Sequence, residues 1–244
     1  MTHSALKSAP DTPPDENEVS PNVEMYLKSI VRLHDGSGPV ATSAIAHELA
    51  VSAASASAML KRLDAEGYVV HDGRHGVRPT VSGARIGALT LRRQRLAERL
   101  LVDHFGVAWE LASAEACRLE HAISPMVEHH LAHFLKEPTT CPHGHPIPRA
   151  DGSLWHHDRA IDLIDLPLDV PAKVLEVKHE VPELLRYLGE IGLRPGVAVT
   201  LKKLERAIGL ITIDVAGKKH TVSVPLANDV LVRDPVSTKA KAVR

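Results

Sequence analysis

Apolar residues recur at helical spacing from Ser20 onward. Val23, Tyr26, Leu27, Ile30, Val31 and Leu33 fall on one stripe, with Met25 among them, and Ser20-Pro21 is a helix-start signal. The turn HDGSG (34–38) ends this helix. Thr42-Ser43 opens a second helix with Ile45, Ala46 and Leu49 facing inward, and Val51-Ser52 makes a short break. A third helix is predicted over 53–66 with Gly67 at its end. YVVHDGRHGVRPT (68–80) then reads as two short strands around a Gly-rich turn. Helix, short turn, helix and two-stranded ribbon is the order of a winged helix-turn-helix.

The pattern changes at Ser82. A long helix is predicted to Gly106, with Leu89, Leu96, Leu100 and Leu101 on one side and arginines on the other. A second helix follows over 112–123. Ser124-Pro125 caps a third, whose apolar stripe is Met126, Val127, Leu131, Phe134 and Leu135. So many apolar positions predict a helical homodimer interface. The prolines and glycines after Lys136 exclude regular structure up to about Leu166. From Ala172 the pattern is β: KVLEVKHEV, VAVTLKKL, GLITIDVAG and KKHTVSVP read as strands, with PELLRYLGEIGL as a short helix. The expected fold is therefore mainly α with a small β part. It comprises a disordered arm (1–19), a winged helix-turn-helix (20–81), a helical domain (82–138), a linker (139–168), a small β-barrel (169–234) and a basic tail (235–244).

Composition sharpens this reading. Two cysteines, Cys117 and Cys141, cannot build a disulfide framework, so a reducing cytoplasm is expected. No apolar run reaches membrane-spanning length, and the polar N-terminus has no signal-peptide core. A net charge of −1 argues against indiscriminate nucleic-acid binding but allows a module with a locally basic face. On that module, Thr42, Ser43, Ser52, Ser55 and Ser57 offer hydroxyls and Ala58 an apolar contact. Lys61, Arg62 and, on the wing, Arg74 and Arg78 offer charge to phosphates. No Arg or Gln stands where the third helix begins, so DNA shape is expected to carry much of the specificity.

Metal chemistry enters at Cys117-x-x-Glu120-His121. Residues three and four apart on a helix share a face, which would bring together a thiolate, a carboxylate and an imidazole. Histidine is abundant: nine of the sixteen lie between His104 and His157. His129, His130 and His133 are read as surface residues. An enzymatic metal centre would need an open coordination position and a base, and neither HExxH nor a nucleophile elbow is present.

On VEMYLKSI (23–30), RLAERLL (95–101), EACRLEH (115–121), HGHPIP (143–148) and the β-rich C-terminus, residues 20–232 resemble the diphtheria toxin repressor family of metal-dependent transcriptional regulators. The resemblance implies a winged helix, a helical dimerisation and metal domain, and an SH3-like barrel of FeoA type. It implies a non-enzymatic, cytoplasmic repressor of metal-homeostasis genes that binds a palindromic double-stranded operator as a homodimer. It implies Mn²⁺ or Fe²⁺ at up to two sites per subunit. The primary site would use Met25, Cys117, Glu120 and His121. The ancillary site would use Glu98, Glu180 and Glu183, with Gln94 and Ser113 standing where the family has histidines. Exchanging two imidazoles for this carboxylate-rich set predicts a harder site, suited to Mn²⁺ or Fe²⁺ rather than Zn²⁺. The competing readings are a winged-helix regulator with a non-metal ligand, and a metal-dependent hydrolase.

Overall fold

The computed structural model describes residues 19–34, 38–72 and 75–235. The expected N-terminal arm and C-terminal tail fall almost entirely outside them. The chain divides into two units. One comprises residues up to Arg93 with Glu120–Glu128 and Pro148–Leu154; the other comprises Gln94–Leu119, His129–Ile147 and the chain from Trp155.

The first unit begins with α1 (Pro21–Leu33), α2 (Thr42–Glu48) and α3 (Ala53–Ala65). Pro21 takes the first helical position of α1, where its missing N–H costs nothing. Ser52 caps α3, its hydroxyl accepting from the Ser55 amide at 3.1 Å. The wing is β1 (Val69–His71) paired antiparallel with β2 (Val77–Pro79), and Val40 bridges to Val77. Leu27 and Ile30 of α1, Ile45 of α2, Leu60 and Leu63 of α3 and Val77 of the wing share one core, all without solvent exposure. Each such side chain contributes roughly 1.5–3 kcal/mol by leaving water.

Helix α4 (Val81–Asp103) follows at once, its last part belonging to the second unit. Its arginine-rich side is not a solvated face. Arg92 is buried, donating from Nε to Glu128 at 2.7 Å and from Nη1 to the Pro148 carbonyl at 2.9 Å. Arg93 is buried against Glu24 and Thr90. Burying a guanidinium is tolerable when its charge is compensated and most of its N–H groups are bonded: Glu128 compensates Arg92 and Glu24 compensates Arg93, whose Nε alone is left without a hydrogen bond.

In the second unit, α5 spans Trp109–Leu119 and α6 runs Pro125–Phe134, with its residues from His129 onward in this unit. The α-helix predicted to continue to Ile123 stops at Leu119. Glu120–Ala122 form a tighter 3₁₀ turn. The remaining strands are β3 (Ala160–Asp162), β4 (Pro171–Val177), β5 (Ala198–Glu205), β6 (Leu210–Val215), β7 (Lys218–Ser223) and β8 (Val230–Arg233), with α7 (Pro182–Glu190) and α8 (Val224–Asn228). They form an antiparallel sheet in the order β3-β8-β4-β5-β6-β7. β6 alternates inward Ile211, Ile213 and Val215 with outward partners, as a sheet with one buried face requires. β3 lies where the sequence predicted structureless linker. It is three residues long and gains its order from pairing with β8, a partner distant in sequence.

Candidate metal centres and nucleic-acid interface

A hairpin-like loop presents the first candidate centre. The Cys141 amide donates to the His145 carbonyl at 2.9 Å and Thr140 bridges to Pro146, which closes the turn. Two arginines of α4 hold it from one side. Arg95 donates to the Pro146 carbonyl, and Arg99 donates to the carbonyls of Thr140 at 2.6 Å and Cys141 at 3.1 Å. On the other side the Val177 amide donates to the His143 carbonyl at 3.0 Å. Gly144 sits at φ +94° with its α-carbon against β4: a methyl group there would lie 2.0 Å from the Leu175 carbonyl oxygen. Only glycine meets both demands.

This loop brings Cys141 and His143 to Glu98 of α4 and to Glu180, two residues before α7. One donor atom from each lies within 4.8 Å of the others. His143 Nδ1 is 3.3 Å from Glu98 Oε2, 3.5 Å from Glu180 Oε1 and 3.9 Å from Cys141 Sγ. Cys141 and His143 have no exposure and Glu98 has 1%. The opposite nitrogen, Nε2, is 2.8 Å from the Trp109 carbonyl, which can only accept. That contact fixes a proton on Nε2, so Nδ1, which faces the carboxylates, is the nitrogen that would exchange its proton for a metal. Burial pushes the Cys141 thiol well above its ordinary value, and the neighbouring Glu98 and Glu180 add to the rise. Burial works against a charged His143, but Glu98 and Glu180 prevail and raise it. A buried cluster with two carboxylates, a thiol and an oriented imidazole fits a divalent transition ion.

The structure therefore takes Glu98 and Glu180 from the expected ancillary set and adds Cys141 and His143, which the sequence reading left unassigned. The centre is not oxygen-rich: thiol and imidazole make up half its donors. Glu183 is exposed in the first turn of α7 and lies outside the cluster. Gln94 donates from Nε2 to Glu98 at 3.1 Å and to Ser113 at 3.2 Å. The two positions where the family has histidines thus bond to each other, and Gln94 holds Glu98 in place. The Cys-x-His string in a Pro- and Gly-bounded loop was the available signal, but its partners lie far away in sequence.

In the first unit, Glu120 and His121 meet residues of α1. Lys28 donates to Glu120 Oε1 at 2.6 Å with both side chains buried. His121 Nδ1 lies 2.6 Å from Glu24 Oε2, and its Nε2 lies 3.2 Å from Glu120 Oε1. Glu24 thus plays toward His121 the part that the Trp109 carbonyl plays toward His143, freeing the far nitrogen beside a carboxylate. Burial raises Glu120 above the usual carboxylate range, although the Lys28 ammonium opposes the rise. Met25 is half-buried on α1, next to Glu24. Cys117 belongs to the other unit, on the last full turn of α5.

On the winged helix, Ser52, Ser55, Ala58, Lys61 and Arg62 are exposed on α3, and Ser57 is half-buried. Ser43 is exposed and Thr42 half-buried at the start of α2. Arg62 is tied to Glu66 at 2.7 Å, and Arg78 stands 3.7 Å from Asp72. Arg74 lies outside the described residues. His129, His130 and His133 are exposed on α6, as expected of surface residues.

A winged helix in a chain with a buried transition-metal donor set defines a metal-dependent DNA-binding protein. Three family models match in succession: the N-terminal DNA-binding domain of iron-dependent repressors over residues 18–77, their metal-binding and dimerisation domain over 80–149, and the FeoA domain over 161–234. The chain belongs to the iron-dependent repressor family and is a metal-dependent transcriptional repressor. It is 33% identical over 221 residues to the iron-dependent repressor IdeR of Mycobacterium tuberculosis H37Rv, covering 86% of this chain and 94% of the relative. It is 34% identical over 155 residues to the diphtheria toxin repressor of Corynebacterium diphtheriae, covering 62% of this chain and 69% of the relative. Among solved structures, a manganese-dependent transcriptional repressor in complex with manganese superposes with a TM-score of 0.78 at 30% identity, covering 86% of this chain and 98% of its own. ScaR with bound Zn²⁺ gives 0.72 at 29% identity, covering 87% and 99%. Among the described residues no helix is long and apolar enough to cross a membrane.

Proposed function

We propose that this chain is a cytoplasmic homodimer that binds a palindromic operator when loaded with Fe²⁺ or Mn²⁺ and represses genes of metal homeostasis. The observation that carries the reading is the buried Glu98–Cys141–His143–Glu180 cluster with its imidazole already oriented. Bound there, a divalent cation would compensate the two carboxylates and draw α4, the 141–147 loop and the segment before α7 onto one point. The chain's own contribution is pre-organisation: Arg95 and Arg99 clamp the loop, Gln94 holds Glu98 and Trp109 fixes His143. We assign the second cation to Met25, Glu120 and His121, with Cys117 retained as a ligand on the strength of the family resemblance. Differential affinity for the operator-competent state is the thermodynamic source of the switch.

Iron and manganese are supported by the relatives, which are named for one or the other. Dimerisation is supported by Phe105, Leu111, Leu119 and Phe134, large apolar residues exposed on a single chain. We read the metals as switches rather than catalysts, since a centre with four protein donors is of the closed, structural kind. The test is fluorescence anisotropy of a palindromic operator in chelator and across Mn²⁺, Fe²⁺, Co²⁺ and Zn²⁺. Binding should be tight with Fe²⁺ or Mn²⁺ and weak in chelator, and Cys117→Ala should lose the metal-stimulated part while dimerisation is kept. Equal affinity with metal and with chelator would instead favour a regulator with an organic ligand.

A further inference from the structure

We propose that the second unit carries a binding site for a small organic anion with two or more negative charges, a phosphate monoester or a di- or tricarboxylate. The site is a cavity of about 470 Å³ walled by the segment after Leu154, strands β4 and β8, part of α4 and the turn before β5.

The register of the sheet brings its charges together. Val174 of β4 pairs with Val232 of β8 in an antiparallel ladder, so Lys173 and Arg233 fall opposite each other on adjacent strands. Both are exposed on the side away from the buried Val174 and Val232, and both line the cavity. Like charges at directly opposed positions destabilise a sheet unless something neutralises them. Elsewhere in this unit Lys178 pairs with Asp162 and Lys202 with Asp169. Among the described residues, neither Lys173 nor Arg233 has an acidic partner within 4.0 Å. Arg99 of α4 and the imidazoles of His156 and His157 join the same wall, against one carboxylate, Asp158. The whole chain has 30 acidic and 29 basic side chains, so this excess of positive charge is a local feature.

The rest of the wall sets the class of ligand. Leu175 and Pro195 give it an apolar part, and Trp155 gives it an aromatic one. The indole is held in place by its Nε1, which donates to the Ile147 carbonyl at 2.9 Å. Inorganic phosphate would leave these groups and most of the volume unused. A carbon skeleton bearing phosphoryl or carboxylate groups uses both, and the volume falls within the roughly 300–1,000 Å³ of small-molecule sites. Arginine suits a bidentate oxyanion and lysine a single charged oxygen, so two or more anionic oxygens match the pair.

Arg99 also donates to the Thr140 and Cys141 carbonyls of the metal-centre loop, so the test leaves it unaltered. Isothermal titration calorimetry on metal-free, full-length protein at constant ionic strength keeps the outcome independent of the metal centres. The probes are inorganic phosphate, ribose 5-phosphate and tricarballylate. One organic probe should bind one-to-one with a Kd of about 1 mM or tighter, at least about 10-fold more tightly than inorganic phosphate. The probe that binds tighter identifies the charged group. Lys173→Gln and Arg233→Gln, both at exposed positions, should each weaken this binding by about 10-fold or more. Lys218→Gln, on exposed β7 at the far edge of the sheet, should leave it unchanged. The absence of saturable binding by either organic probe would overturn the site. Equal losses from Lys173→Gln and Lys218→Gln would overturn it too, since they would mean attraction to overall charge. Inorganic phosphate binding as tightly as the organic probes would overturn the class of ligand.

Discussion

Lys28 and Glu120 form an ion pair out of water at 2.6 Å, beside His121. Removing one partner of such a pair leaves the other charge buried and typically costs about 3–5 kcal/mol. Lys28→Met should therefore lower the urea-unfolding stability of the metal-free protein by about that much. Saturating metal should recover part of the loss, because a cation on Glu120 takes over the role of the ammonium. A deficit of the same size with and without metal would remove Glu120 from the ligand set. A second buried charge sets a pH dependence. Burial opposes a charged His145, but Glu176 and Glu180 outweigh it and raise the imidazole from 6.5 to about 9. A raised folded-state value means that the protonated form contributes stability. The contribution is complete below 6.5 and is lost as pH rises through about 9. The urea midpoint of the metal-free protein should fall across that window, and His145→Gln should flatten the fall.

At the scale of elements, the 141–147 loop is the part most sensitive to a single atom. Gly144→Ala places a methyl group against the Leu175 carbonyl at a backbone angle that disfavours side chains, at a cost of roughly 1–3 kcal/mol. The loop should shift, so that metal affinity falls by 10-fold or more while the helical circular dichroism signal is unchanged. An unaltered affinity would show that the loop does not need this path. The same loop shows where the sequence was legible. α1, α2, α3 and the wing follow from a 3.6-residue and then a 2-residue apolar period, and the structure has them at nearly the expected bounds. Glu98 and Glu180 were legible as candidates because neighbouring residues matched a family pattern, and folding places both in one cluster. Cys141 and His143 were left without a role because a Pro- and Gly-bounded loop has no period, and only folding brings it between α4 and β4. The burial of Arg92 and Arg93 on α4 was hidden for a related reason: the helical pattern shows which residues are polar but cannot show that Glu24 and Glu128 reach them. The end of α5 was also hidden. Nothing in EACRLEH announces that the α-helix gives way to a 3₁₀ turn at Glu120, a change set by where Glu120 and His121 must meet α1.

For the whole molecule, the winged helix supplies DNA affinity and the buried donors supply its condition. Ser52, Ser55 and Lys61 are exposed on α3, and hydroxyls with a few cations favour phosphate and shape contacts over base-specific ones. Lys61→Ala should thus weaken binding to all duplexes alike and reduce the salt dependence by about one charge, as measured by operator titrations at several salt concentrations. A loss confined to one operator sequence would mean base readout. The central claim is that metal at Glu98, Cys141, His143 and Glu180 licenses operator binding. Its most direct test is operator affinity, by anisotropy, for the wild type and Cys141→Ser titrated with Fe²⁺ or Mn²⁺. With metal, wild-type operator affinity should exceed that for non-specific DNA by about 10³-fold or more, and Cys141→Ser should lose most of this margin while remaining folded and dimeric. A Cys141→Ser protein with wild-type, metal-stimulated affinity would contradict it.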